Sequence, residues 1–345
     1  MPEDNIDHID FDDLNKRAIS QPLVNHIYTA DPSAHFFEGK IYIYPSHDID
    51  AGEAFDDLGS HFAMEDYHVL SMDRIDSKVV DHGVALHIKD VPWAEKQMWA
   101  PDANEKEGIY YLFFPAKDYE GIFRIGVATS DCPSGPFMPQ REAIKDSFSI
   151  DPAVFKDDDD SYYMYFGGLW GGQLQRWRSG FFNSDQPESP TAFIPDENEP
   201  ALLPLVAKMR KDLLEFDEKP REIQILDENG ALLLAGDHNR RFFEAAWLHK
   251  HNKKYYFSYS TGDTHFICYA IGESPYGPFT YRGRILNPVV GWTSHHSICK
   301  VGDKTYLFYH DSSLSKGVTH LRSIKVTEIN YFEDGTIKTI DPYGY

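Results

Sequence analysis

Hydrophobic residues along this chain fall into short runs, not long periodic stretches. Five of the runs are rich in aromatic residues and open on turn residues: 39–44, 108–113, 160–165, 254–259 and 303–309. Runs of this length and composition, bounded by turn residues, predict strands. Each follows another short apolar stretch and a polar turn, so each unit predicts a β-hairpin of inner strand, turn and aromatic strand. Two further strands are visible at 123–128 and 266–270. Each leads into a Pro-x-Gly-Pro-Phe turn, at 133–137 and 275–279.

The five units share a second feature. Counting back 11 residues from the first tyrosine of each aromatic run reaches Asp31, Trp99, Asp151, Glu244 and His295. Three carboxylates, a tryptophan and a histidine thus recur near the start of the inner strands. Equivalent units arranged in a circle would bring them together on one axis. Successive anchor tyrosines are 68, 52, 93 and 51 residues apart. That is close to the roughly 50 residues of a four-stranded propeller blade. The pattern predicts an all-β fold of five blades, with extra chain in the long third interval.

Residues 1–25 are acidic and weakly patterned and read as an N-terminal arm. Residues 26–345 read as one catalytic propeller with an insertion at about 173–215. The stretch 221–235, with Asp227-Glu228-Asn229-Gly230 at its turn, reads as a hairpin completing the third blade. Another hairpin at 329–337 would complete the last blade or help close the ring. The Gly-rich segment 167–172 lacks the Lys-Ser/Thr of a phosphate loop and reads as a tight bend beside a cleft. The stretch 47–68 reads as a long loop, in which His47, Asp48 and Asp50 could suggest a metal but read more readily as solvated polar residues.

Charge and composition narrow the partners. The chain of 345 residues carries a net charge of -22 and a pI near 5.0. Nucleic acid, whose phosphates call for a basic face, is disfavoured. No apolar run reaches the 18 residues of a membrane span. The three cysteines, Cys132, Cys268 and Cys299, are scattered and without CxxC spacing, so neither a disulfide framework nor a zinc knuckle is expected. The first residues show no apolar leader, and a cytoplasmic location is the simplest expectation. Nothing in the pattern fixes an oligomeric state.

Two carboxylates flanking a sugar are the apparatus of glycosidic bond hydrolysis, one protonated and one ionised. Glu244 stands between Phe242-Phe243 and Trp247, apolar neighbours that would raise its pKa, and is the candidate acid. Asp31 is the candidate base. A third carboxylate near the acid, Asp151, would hold its pKa up by like-charge repulsion and orient it. Trp99 suits a sugar platform. His295 leaves open an axial ligand for a hard ion completed by water or plain polar fill; zinc is not supported by the spacing.

The units Ala30-Asp31-Pro32-Ser33, Trp99-Ala100-Pro101-Asp102, Ile150-Asp151-Pro152-Ala153, Phe243-Glu244-Ala245 and His295-His296-Ser297 together resemble glycoside hydrolase family 43. The resemblance implies a five-bladed β-propeller and an inverting mechanism. It places the general base on Asp31, the pKa-modulating aspartate on Asp151 and the general acid on Glu244. It also implies a substrate-contacting arginine at Arg322, a glycone-pocket tryptophan at Trp99 and an axial histidine near Ca2+ at His295. The expected substrate is a small oligosaccharide, and the expected activity is exo-acting β-xylosidase, with α-L-arabinofuranosidase activity beside it. The long loops at 45–68 and 173–215 would close one end of the funnel. An endo-α-1,5-arabinanase on the same fold would need an open groove. A non-catalytic binding propeller would have no use for three axial acids.

Overall fold

The five aromatic runs become the second strands of five sheets. The computed structural model describes residues 8–344. In it Lys40–Asp48, Ile109–Asp118, Tyr162–Phe166, Lys254–Ser260 and Lys304–Asp311 pair with the inner strands Tyr28–Phe37, Asp102–Lys106, Ala153–Lys156, Glu244–His251 and His296–Val301. Three of these hairpins turn on two residues with left-handed φ: Glu38-Gly39, Glu107-Gly108 and Asn252-Lys253. That geometry matches the right-handed twist of the flanking strands. The sheets are stacked blade against blade as a five-bladed β-propeller. Both faces of the second strands are therefore covered, which is why they read as continuous apolar runs.

Apolar side chains fill the gaps between blades. Tyr44, Tyr67, Leu112 and Phe114 pack between the first two. Phe113, Tyr165, Phe166, Phe257 and Phe279 fill the larger core shared by the second, third and fourth. Ile41, Ile43, Phe308 and Ile324 join the fifth blade to the first.

Buried polar ties run around the axis as well. Asp102 accepts from Ser33 Oγ of the first blade at 2.6 Å and from the Val154 N–H of the third at 2.5 Å. Asp151 accepts from the Ala245 N–H at 2.8 Å. Ser258 Oγ bonds His296 Nε2 at 2.6 Å, and Ser297 Oγ accepts from the Ala34 N–H at 3.0 Å. Every pair of neighbouring blades thus shares a buried side-chain hydrogen bond.

The ends and the long interval depart from expectation. Within 173–215, Leu205–Lys208 pairs with Tyr162–Phe166, so the third blade resumes before the expected end of the insertion. The 221–235 hairpin is divided. Arg221–Glu222 forms the outer strand of the third blade, but Ile225–Leu226 runs parallel to Phe279–Leu286 of the fourth. Its arms keep one bridge, Leu226 to Leu232. The 329–337 turn packs on the fourth blade, where the Ile337 N–H donates to Tyr269 Oη and Tyr256 Oη donates to the Gly335 carbonyl.

The arm is ordered over its described residues. Helix Phe11–Arg17 is capped by Asp10, which accepts from the Asp13 N–H, and buries Leu14 against Val290 and Tyr343. Beyond it the chain lies along the last blade's outermost strand, Ser323–Ile329. The Leu23 N–H donates to the Ile324 carbonyl at 2.8 Å, and the Thr29 N–H to the Arg322 carbonyl at 2.9 Å. Early and late residues together close the ring.

Candidate active site

The inner strands deliver their first residues to one pocket. Asp31, Trp99, Asp151, Glu244, His295 and Arg322 all line it. The shared 11-residue offset is nevertheless not the structural equivalence. Asp31, Asp151 and Ala245 are the residues with left-handed φ, at 48°, 58° and 61°. A bulge of the same form separates Ala30 from Ser33 and Glu244 from Trp247. Glu244 therefore lies one position before the place Asp31 occupies in its own blade. The count slipped because hairpins were aligned on tyrosines that do not all hold the same register. Non-glycine residues with left-handed φ store strain that the surrounding structure must hold, and they cluster at functional sites.

Asp31 is fixed by two partners. Its Oδ1 accepts from Arg322 Nη1 at 2.9 Å, and its backbone N–H donates to His310 Nδ1 at 3.0 Å. His310 Nε2 then faces the Thr293 carbonyl at 3.1 Å, so the ring is the neutral tautomer with its proton on Nε2. Burial lowers the His310 pKa to about 3. Burial alone would raise Asp31, but the Arg322 charge outweighs it and holds the carboxyl below the usual aspartate value. Arg322 is itself clamped by Asp48, from Nε at 2.8 Å and from Nη2 at 2.7 Å. Burial works against the guanidinium charge, yet Asp31 and Asp48 together raise its pKa. Asp48 is thus no solvated loop residue. It is buried and anchors the arginine.

Glu244 has the opposite environment. Enclosure in the pocket, and then the Asp31 charge, push its pKa up to about 8, against a weaker lowering by Arg322. The like charge acting on it is Asp31, where Asp151 had been expected. Burial first, then the Glu244 and Asp31 charges, push the Asp151 carboxyl well above the usual aspartate value. The two acids titrate as a pair. Of the apolar neighbours in sequence, only Phe243 lines the pocket. Phe242 packs on Phe257 and Tyr259, and Trp247 lies 5.7 Å from the ring of His35.

Aromatic rings wall the pocket. Phe243, Trp170 and Trp292 contact one another edge-on or tilted, with centroids 5.4 to 5.8 Å apart. Trp99 is locked by its Nε1 donating to the Phe62 carbonyl at 2.8 Å. The segment 55–64 supplies the facing wall. The Gly-rich bend does lie beside the cleft: a Cβ on Gly171 would sit 2.5 Å from the Leu58 carbonyl oxygen and 3.1 Å from the Trp99 ring. No residue of 173–215 lines the pocket; the second wall comes from Trp170, Gly171 and Gly172. Asp48, Thr293, His310, Trp170 and Trp292 were missed from sequence. For His310 the Tyr309-His310-Asp311 close of the last aromatic strand was the available signal.

His295 stands apart from these pairings. Both of its ring nitrogens lack a hydrogen-bond partner, and Nε2 lies 3.6 Å from Asp151 Oδ2. Burial lowers its pKa, so the imidazole is neutral with a lone pair to offer. An unpartnered neutral imidazole beside buried carboxylates fits a cation whose other ligands are waters bonded to those carboxylates.

A propeller whose axis carries an ionised aspartate, a protonated glutamic acid and a stack of aromatic rings belongs to the glycoside-hydrolysing class. Sequence and structure comparisons agree. Residues 24–188 match the model of glycosyl hydrolases family 43. The chain is 60% identical to xylosidase/arabinosidase 43A of Humicola insolens over 93% of its own length and 99% of the relative's. It is 54% identical to a β-xylosidase of Xylanibacter ruminicola, covering 91% and 97% of the two chains. Among solved structures it superposes on a family 43 β-xylosidase/α-arabinofuranosidase from a compost microbial metagenome. That enzyme was solved with xylotriose in a calcium-free form, and the match has a TM-score of 0.92, 65% identity and coverage of 94% and 98%. The chain belongs to glycoside hydrolase family 43.

Proposed function

We propose that this enzyme removes terminal β-D-xylosyl residues from xylo-oligosaccharides with inversion, and releases α-L-arabinofuranosyl groups as well. The observation that carries the reading is the opposed protonation of two carboxyls in one pocket. Arg322 keeps Asp31 ionised, and enclosure keeps Glu244 protonated. Asp31 takes a proton from a water as its oxygen bonds the anomeric carbon. Glu244 gives its proton to the departing glycosidic oxygen. Asp151, tied to the Ala245 N–H, holds the backbone next to the acid in place. Walls at 55–64 and 170–172 favour a pocket for a chain end over an open groove. The substrates of the similar proteins agree with this assignment.

His295 is the proposed protein ligand of an axial Ca2+. When bound, the ion supplies a fixed positive charge among the carboxylates. The protein's part is to hold the imidazole neutral and unpaired.

The test is proton NMR of xylobiose hydrolysis. α-Xylose should appear first from the cleaved residue and then mutarotate. Release of β-xylose first, or no cleavage of xylobiose, would overturn the assignment.

A further inference from the structure

We propose a second metal site, for a divalent transition ion of the Zn2+ class, built from His47, Asp66 and His68 on the first blade at the base of the pocket loop. One ligand atom from each residue lies within 4.8 Å of the other two. Asp66 and His68 stand two apart at the start of strand Asp66–Met72, so they project from the same face. His47, near the end of Lys40–Asp48, meets them from the neighbouring strand, its Nδ1 2.7 Å from Asp66 Oδ1. The His47 and His68 rings lie 4.5 Å apart between centroids. The side chains are 18%, 16% and 12% exposed, sheltered enough to hold an ion and open enough to admit one.

The donors select the metal. Two imidazoles and one carboxylate, with a fourth position for water, suit Zn2+ or Co2+. Ca2+, which wants six to eight oxygens, is poorly served. An outer carboxylate is already in place. Asp81 Oδ1 accepts from His68 Nδ1 at 2.9 Å, which leaves Nε2 for the ion. Asp81 is held in turn by the Gly83 N–H at 2.8 Å and by His26 Nε2 at 2.8 Å.

The position gives the site a use. The chain between His47 and Asp66 contains Phe55, Asp56, Gly59, His61, Phe62 and Met64, which wall the pocket. Ligands at both ends of that loop would clip its base shut and reduce the freedom of the open form. His47 also adjoins Asp48, the anchor of Arg322. The ion would brace the 55–64 wall and the Asp48 anchor of Arg322 from behind, without touching substrate.

The test uses the purified chain after exposure to chelator, titrated with CoCl2 and followed by visible absorption and calorimetry. His295→Ala serves as background, so that the axial histidine takes no part. One equivalent of Co2+ should bind with tetrahedral d–d bands, and ZnCl2 should displace it and raise Tm. His68→Gln and His47→Gln should lose that equivalent while keeping the circular dichroism of the parent. Asp81→Asn keeps all three ligands and should weaken binding at least tenfold. Absence of binding in the background protein overturns the site, as does Co2+ binding that survives both histidine substitutions.

Discussion

Arg322 Nη1 donates to Asp31 Oδ1 at 2.9 Å across 291 residues of chain. The same guanidinium is gripped by Asp48, so it cannot turn away from the base. Lysine offers a point charge without the planar fork and cannot satisfy both carboxylates at once. Arg322→Lys should let burial raise the Asp31 pKa. The acid limb of kcat/KM against pH should then move to higher pH, and kcat/KM at the optimum should fall about tenfold or more. An unmoved acid limb would show that Asp31 is kept ionised by something else.

Glu244 has a pKa near 8, so activity should be lost as pH rises through about 8. On the other side Asp31 lies below the ordinary aspartate value, and activity should hold down to about pH 4. Glu244→Gln should lower kcat on xylobiose by about 10²–10⁴-fold. Its stability should change with the opposite sense. A carboxyl whose folded pKa is raised contributes stability fully below its unfolded value and loses it as pH climbs through the folded one. Relative to wild type, the variant should gain up to a few kcal/mol between pH 4.5 and 8 and then level off. Urea melts at several pH values would read this directly.

Gly262 has φ of 68°, and a Cβ there would lie 2.2 Å from Cγ of Phe243. Phe243 adjoins Glu244 and cannot yield without moving it. Gly262→Ala should cost about 3 kcal/mol from overpacking and left-handed backbone together. It should also lower kcat more than it raises KM. Thermal melts and steady-state kinetics on an aryl xyloside test both parts.

The proposed axial Ca2+ is tested by its removal. Chelation followed by Ca2+ readdition should lower and then restore Tm and activity in the wild type. His295→Ala should not respond to the Ca2+ readdition. If His295→Ala responds as fully as wild type, the axial imidazole is not the ligand.

The five aromatic strands were legible because sheets packed on both faces must be apolar throughout, and Gly39, Gly108 and Gly302 mark their turns. The acids were legible because Asp31 and Asp151 precede prolines at strand starts, an unusual place to repeat. Arg322 was not, since nothing beside it distinguishes it from a surface arginine; only family resemblance pointed there. Asp48 sits in an acidic stretch that reads as solvated, and its burial is created by a partner 274 residues away. Trp170 and Trp292 come from irregular loops, where no periodicity reports which way a side chain faces. The one-residue slip at Glu244 has a different origin: Tyr255 sits one pair nearer its turn than Tyr42 does, so Tyr256 is the true counterpart, and composition does not mark which of two adjacent tyrosines holds the register.

The closure of the ring by residues 20–29 against the last blade has a consequence for biosynthesis. While the chain is being made, Asp31 leaves the ribosome long before the arginine that keeps it charged. Until 296–311 and then Ser323–Ile329 have emerged, the first blade lacks its full neighbour on one side. A nascent chain with four finished blades therefore has Glu244 but no ionised, oriented base. Catalytic competence should arrive abruptly with the final blade, so truncated translation products would be inert toward substrate.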